Sequence, residues 1–259
     1  MKSKGILLLY SESAQLDYLK LAELCARLAH KHTDLPVTIK QLNAPLKNAR
    51  TFRWEDESTQ TIEWNNLNRC DAYDLSPYDQ TLLLDVDYML QTDQLLGYFS
   101  TQHDFLCHNT SWDITGNQQF RHDRYISSNG FEMRWATVLY FTKSSKNQLL
   151  FETWRHVQNN YEYFSKLFGF SQAPFRNDFA MSIAHQLVNG YTNTNTFKFE
   201  MPALSTTDSV IDYGSAWLVK YRYKDSHNVL RYKGDLHIMN KRCLLEPAMY
   251  DKIWSANAA

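Results

Sequence analysis

The chain has 259 residues, 44% of them apolar and 21% charged, a length and balance that allow a sizeable buried core and exclude a disordered or fibrous chain. Its 27 cations and 28 carboxylates leave a formal charge of −1, which excludes a wholly basic nucleic-acid coat but leaves open charge gathered on one face. Only 8 residues are glycine, and none falls into G-x-G-x-x-G or G-x-x-x-x-G-K-[ST], so phosphate binding by a glycine loop is not expected.

In chain order, residues 5–10 form an unbroken apolar run that reads as a buried parallel strand. It is shorter than a signal-peptide core, and no later run approaches the roughly 18 residues of a membrane span. Cys25, Cys70, Cys107 and Cys243 lie far apart with no C-x-x-C pair, the usage of free thiols in a reducing compartment. A cytoplasmic protein is therefore expected. A helix over 15–32 follows, carrying Leu16, Leu21, Cys25 and Leu28 at helical spacing, and then a strand over 37–40. Residues 41–77, with Arg50, Arg53, Trp54 and Trp64, show no sustained period and read as an excursion of loops and short helices. The run 81–84 is the clearest strand and leads directly into Asp85 and Asp87; a helix over 92–101 and strands over 105–108 and 136–141 come next. Further helices are expected over 147–168, 178–187 and 247–254. The alternation predicts an α/β fold in one domain spanning 1–259.

Two carboxylates at the end of an apolar strand are the feature that points to chemistry. Residues two apart on a strand face the same side, so Asp85 and Asp87 can share the crevice beyond the strand end, where open α/β sheets bind ligands. Their repulsion is relieved by a hard divalent cation, Mg²⁺ or Mn²⁺, which takes its remaining ligands from substrate phosphates and water. A capping or solvated acidic turn is the plain alternative. By the same crevice argument Tyr10 can stack on a base while Ser11 or Glu12 bonds its edge or ribose, and Arg53 with Trp54 can close over the ligand; Tyr10 suits a core position equally well.

Asp85-Val86-Asp87 in this setting resembles the Asp-x-Asp motif of glycosyltransferases with the GT-A (Rossmann-like) fold, which hold a nucleoside diphosphate sugar through a metal; the resemblance implies a mixed sheet flanked by helices. Residues 175–184, with Asn177 and Asp178, resemble the helix bordering donor sugar and acceptor in such enzymes. Residues 235–241 resemble the late His-to-Lys element of the glycogenin-like branch, although the glycine and Pro-Trp of that element are missing. The resemblance implies His237 as third metal ligand, Lys241 on the diphosphate and Asp178 on the transferred sugar or as base, with UDP as the expected nucleotide. Simple N-capping is the alternative for Asp178; a structural histidine and a solvated lysine are the alternatives for His237 and Lys241. The three segments together also resemble glycosyltransferases of tailed bacteriophages, some of which glycosylate hydroxymethylated bases of their own DNA.

Between residues 217 and 243 stand Lys220, Arg222, Lys224, Arg231, Lys233, Lys241 and Arg242 against Asp225 and Asp235, interleaved with Tyr221, Tyr223 and Tyr232. Cations beside stackable rings suit phosphates and bases, and a hairpin around 225–227 would place Lys220, Arg222 and Lys224 on one face. Such a stretch is also an ordinary solvated strand. The expectation is a metal-dependent transferase moving a sugar from a nucleoside diphosphate donor to an acceptor hydroxyl, with modified DNA as one acceptor and no membrane partner. The alternative is a non-enzymatic α/β protein that binds nucleic acid or another partner. Neither oligomeric state nor the stereochemical outcome is legible.

Overall fold

The run beginning at Lys4 forms strand β1 (Lys4–Tyr10), buried from Gly5 onward, as a strand lined on both faces should be. The computed structural model describes residues 2–42, 46–53, 59–66, 68–116, 125–126, 131–169, 175–192, 196–224 and 226–256. Helix α1 (Tyr18–Thr33) opens at Asp17, whose side chain accepts the Lys20 backbone N–H at 2.9 Å, and closes with Asp34 in the left-handed region at φ 55. After β2 (Val37–Gln41) the chain is not the run of loops and short helices that its composition suggests. The stretch 41–77 contains an antiparallel hairpin, β3 (Leu46–Arg53) against β4 (Thr59–Asn66), before a 3-10 turn at Arg69–Asp71 and the short helix α2 (Ala72–Leu75). Trp54 lies outside the described residues, as does the side chain of Arg53.

The central strand β5 (Gln80–Leu84) is buried throughout, and β6 (Tyr88–Met89) follows the acidic turn. The helix expected over 92–101 is instead a 3-10 segment, Gln94–Ser100. Beyond it lie β7 (Phe105–His108), β8 (Ser111–Asp113), β9 (Tyr125–Ile126), β10 (Phe131–Glu132) and β11 (Trp135–Thr142). The single helix expected over 147–168 is two, α3 (Ser145–Asn159) and α4 (Tyr161–Leu167), broken at Asn160. There the Asn160 side-chain amide bonds back to the carbonyl of His156, the local competition that makes asparagine a helix terminator. The chain ends with α5 (Asn177–Val188), β12 (Met201–Leu204), β13 (Ser209–Tyr213), β14 (Trp217–Tyr223), β15 (Ser226–Tyr232), β16 (Leu236–Ile238), α6 (Arg242–Leu245) and α7 (Pro247–Ser255).

The principal sheet has the order β2-β1-β5-β11-β7, with β2, β1 and β5 parallel and β11 antiparallel to both its neighbours. It is thus a mixed sheet flanked by helices, as the resemblance implies. Helix α1 packs on β1 and β2 on one side, and α5 lies on β11 and α3. A second sheet, β6-β16-β12-β8, has no counterpart in the sequence pattern. Its strands are two to four residues long, too short to show a period of their own. In it β16 runs antiparallel to β6, with His237 opposite Tyr88 and Leu236 opposite Met89. That pairing joins the end of the chain to the acidic turn.

Candidate functional site

Asp85 and Asp87 converge through a turn, not through strand alternation. Strand β5 ends at Leu84, and the Tyr88 N–H donates to the Asp85 carbonyl at 3.0 Å, the closure of a four-residue β-turn. The strand pairing of β16 then delivers a third group: the Ile238 N–H donates to the Asp87 carbonyl at 2.9 Å, and His237 Nε2 stands 3.4 Å from Asp87 Oδ2. One ligand atom each from Asp85, Asp87 and His237 lies within 4.8 Å of the others. Among the described residues no other set of three His, Cys, Asp or Glu side chains is gathered this way. Two carboxylate oxygens and an imidazole nitrogen form a donor set that suits Mn²⁺ or Mg²⁺ completed by water and phosphate. Nε2 faces the acids, leaving it as the nitrogen able to take such a place.

Each acid also has its own cation. Lys241 Nζ lies 2.7 Å from Asp87 Oδ2, and Arg69 Nη1 lies 2.5 Å from Asp85 Oδ1. The two carboxyls are consequently unlike. Burial alone would raise Asp87, but Lys241 and His237 outweigh it and hold the carboxyl far below its ordinary range. At Asp85 burial outweighs Arg69, and with Asp87 nearby the carboxyl is raised. His237 loses affinity for its proton through burial and regains more from Asp87 and Asp85, so its pKa is raised. The Asp87 side chain is 5% exposed, whereas that of Asp85 keeps 30% of its surface open, so Asp85 is the more open side of the pair.

Helix α1 braces this turn from beneath. The fully buried Cys25 Sγ approaches the carbonyl of Tyr88 at 3.3 Å and that of Asp85 at 3.8 Å. Burial raises its pKa, and Asp87 and Asp85 add to the effect, so it stays a thiol able to donate. Burial likewise pushes Cys70 and Cys107 up to about 12, which leaves neither suited to act as a thiolate nucleophile at neutral pH. All four cysteines are free.

The remaining expected residues are distributed unevenly. Asp178 stands close enough for its charge to raise Asp85. It is not a helix cap: its Oδ1 accepts the Ala136 N–H at 2.8 Å and its Oδ2 meets Arg176 at 3.0 Å, while Arg176 occupies the capping position of α5. Tyr10 is buried in the core, and its hydroxyl donates to Gln41 Oε1 at 3.2 Å; Ser11 is buried beside it and Glu12 is exposed, meeting Gln41 Nε2. The Arg53 side chain, outside the described residues, has no assigned place in the site. Arg69, Cys25 and Tyr18, whose hydroxyl senses Lys241 and both acids, carry no pattern in the sequence that marks them as part of the site.

The basic stretch divides in space. In the β14–β15 hairpin Lys220 pairs with Val229 and Arg222 with His227, while Tyr221 pairs with Asn228 and Tyr232 with Trp217. Strand alternation puts Lys220, Arg222 and Arg231 on one face and Tyr221, Tyr223 and Tyr232 on the other; Lys220 and Arg222 thus share the face expected of them, while Lys224 lies beyond β14 in the left-handed region at φ 54 and is not part of that strand face.

No protein-family model matches the chain, and no curated protein matches it. Among solved structures it is similar to the apo-form glycosyltransferase GlyE of Streptococcus pneumoniae TIGR4, with 10% identity, a TM-score of 0.38 and coverage of 76% of this chain. The chain spans 46% of the length of that GlyE structure. It is also similar to the galactosyltransferase LgtC in complex with donor and acceptor sugar analogs, with 16% identity, a TM-score of 0.38 and coverage of 69% of each chain. An active-site mutant of LgtC aligns over 97% of this chain and 94% of its own, at 11% identity and a TM-score of 0.45.

Proposed function

We propose that the protein is a metal-dependent glycosyltransferase that moves a sugar from a nucleoside diphosphate donor, with UDP as the expected nucleotide, to an acceptor hydroxyl. The observation that carries this reading is the meeting of Asp85, Asp87 and His237 at the end of β5, with Lys241 against Asp87. A divalent cation bound there would act as a Lewis acid on the departing diphosphate. Asp85 and Asp87 hold their oxygens toward one point, and Lys241 brings a positive charge to the same place, where it can offset charge developing on a leaving group. Asp178, fixed by the Ala136 N–H and Arg176, presents a carboxylate on the Asp85 side of the cluster for the hydroxyls of the transferred sugar. The protein's own contribution is alignment and exclusion of water.

Modified DNA is the acceptor this reading favours. Its support is the cationic face of the hairpin: Lys220, Arg222 and Arg231 have no carboxylate within ion-pair distance among the described residues, and they alternate along neighbouring strands at the roughly 6.7 Å spacing of every second residue. A linear polyanion suits such a row. Incubation with a panel of nucleotide sugars and Mn²⁺, with and without hydroxymethylcytosine DNA, tests both parts by the nucleoside diphosphate released. Release from at least one donor is expected, with stimulation by the DNA. Absence of release from every donor would defeat the transferase reading, and release indifferent to DNA would remove that acceptor.

A further inference from the structure

Each acid of the site already faces a cation of the chain: Asp85 is matched by Arg69 and Asp87 by Lys241, each as a direct ion pair. A divalent cation entering this enclosure would bring two uncompensated charges, and uncompensated buried charge is strongly disfavoured. Lys241 Nζ and His237 Nε2 also converge on the same oxygen, Asp87 Oδ2. The lysine therefore stands where an arriving ion would need that oxygen.

Of the two cations, only one is free to leave. The Arg69 side chain is 4% exposed and its guanidinium is enclosed, with Nε and Nη2 buried and without a hydrogen-bond partner among the described residues. The Lys241 side chain is 27% exposed, carries its charge at the end of a flexible stem, and sits at the entrance to the four-residue helix α6. A compact ammonium can exchange one oxygen partner for another by rotating that stem, whereas a packed planar fork cannot.

We propose that Lys241 is a resident counter-cation that competes with the metal for Asp87, so that the divalent cation and the diphosphate load together and Lys241 passes from Asp87 to the incoming diphosphate. This rests on the metal–diphosphate reading given above. The anion offsets the charge of the ion and at the same time gives the displaced ammonium a new partner, so each ligand improves the binding of the other, as reciprocal coupling requires.

The test is Mn²⁺ binding to the full chain, read from the free-ion electron paramagnetic resonance signal with UDP as the anionic probe. The parent protein should bind bare Mn²⁺ weakly and tighten about tenfold or more when UDP is present, within the usual range of such couplings. Lys241→Met, similar in shape and uncharged, should bind bare Mn²⁺ about tenfold tighter than the parent and lose most of the UDP enhancement. Lys241→Arg keeps the charge and should bind bare Mn²⁺ as weakly as the parent; Lys241→Gln replaces the Met variant if circular dichroism shows that variant unfolded. An uncharged variant that binds bare Mn²⁺ no tighter than the parent, while UDP still enhances binding, overturns the competition and leaves the metal site standing. Mn²⁺ binding that survives Asp85→Asn with Asp87→Asn overturns the metal site itself.

Discussion

At the scale of single residues, the site turns on how unlike two neighbouring aspartates become. Lys241 and His237 keep Asp87 ionised, whereas burial raises Asp85 and Arg69 opposes that rise. Replacing Arg69 by Met should destabilise the fold by about 1–3 kcal/mol, because Asp85 loses its charged partner yet can partly rehydrate; chemical denaturation measures it. The same variant should raise Asp85 further, detectable by carboxyl titration in NMR spectra. Asp85 and Asp87 are legible in sequence because an apolar strand ending in paired acids is a distinctive pattern, whereas His237 and Lys241 are reached only through the resemblance of residues 235–241 to a known element. Arg69 is not: residues 68–71 are a short polar run like many others, and only folding brings that guanidinium to Asp85. Tyr10 shows the opposite failure, since the crevice argument cannot tell a strand-end ring facing a ligand from one packed in the core.

At the scale of elements, alternation decides what a sequence cluster becomes. The cations and tyrosines of residues 217–232 interleave in sequence and, as the hairpin reading expects, fall on separate faces of β14 and β15, because neighbouring strand residues point opposite ways. If the cationic face holds DNA, Lys220→Glu with Arg222→Glu should weaken binding and reduce the slope of log K against log salt by about 2, close to one unit for each phosphate no longer neutralised; titrations at several salt concentrations check this. Strand β1 offers a packing test. A Cβ at Gly5 would lie 2.3 Å from the Tyr78 ring, and that ring is held by its hydroxyl, 2.7 Å from Thr38 Oγ1. Gly5→Ala should therefore cost about 1–3 kcal/mol through overpacking, seen as a lower denaturation midpoint. The long central strands are legible from their unbroken apolar runs. The hairpin β3–β4 and the small second sheet are not, since the former lacks a clean buried face in sequence and the latter is built from strands too short to carry one.

At the scale of the whole molecule, two buried histidines tie stability to pH. Burial lowers His108, packed against Phe197 and Phe199, to about 3, and burial followed by Arg134 lowers His185 to about 3. Their folded pKa values lie below the unfolded value of 6.5, so the unfolded chain binds more protons between those limits. Stability is then complete above about pH 6.5 and falls as pH drops toward 3, by about 1.4 kcal/mol per pH unit for each histidine. Thermal melting of His108→Phe against the parent should show the acid-side slope reduced by one histidine's share.

On the proposed function, Asp85, Asp87 and His237 hold a nucleoside diphosphate through a divalent cation. Calorimetric titration of UDP into the protein, with Mn²⁺ and again with EDTA, tests it most directly. Binding should appear with Mn²⁺, vanish with EDTA, and be lost in Asp85→Ala with Asp87→Ala while that variant keeps its fold by circular dichroism. Equal binding of UDP with and without the metal, or full binding by the double variant, would contradict it.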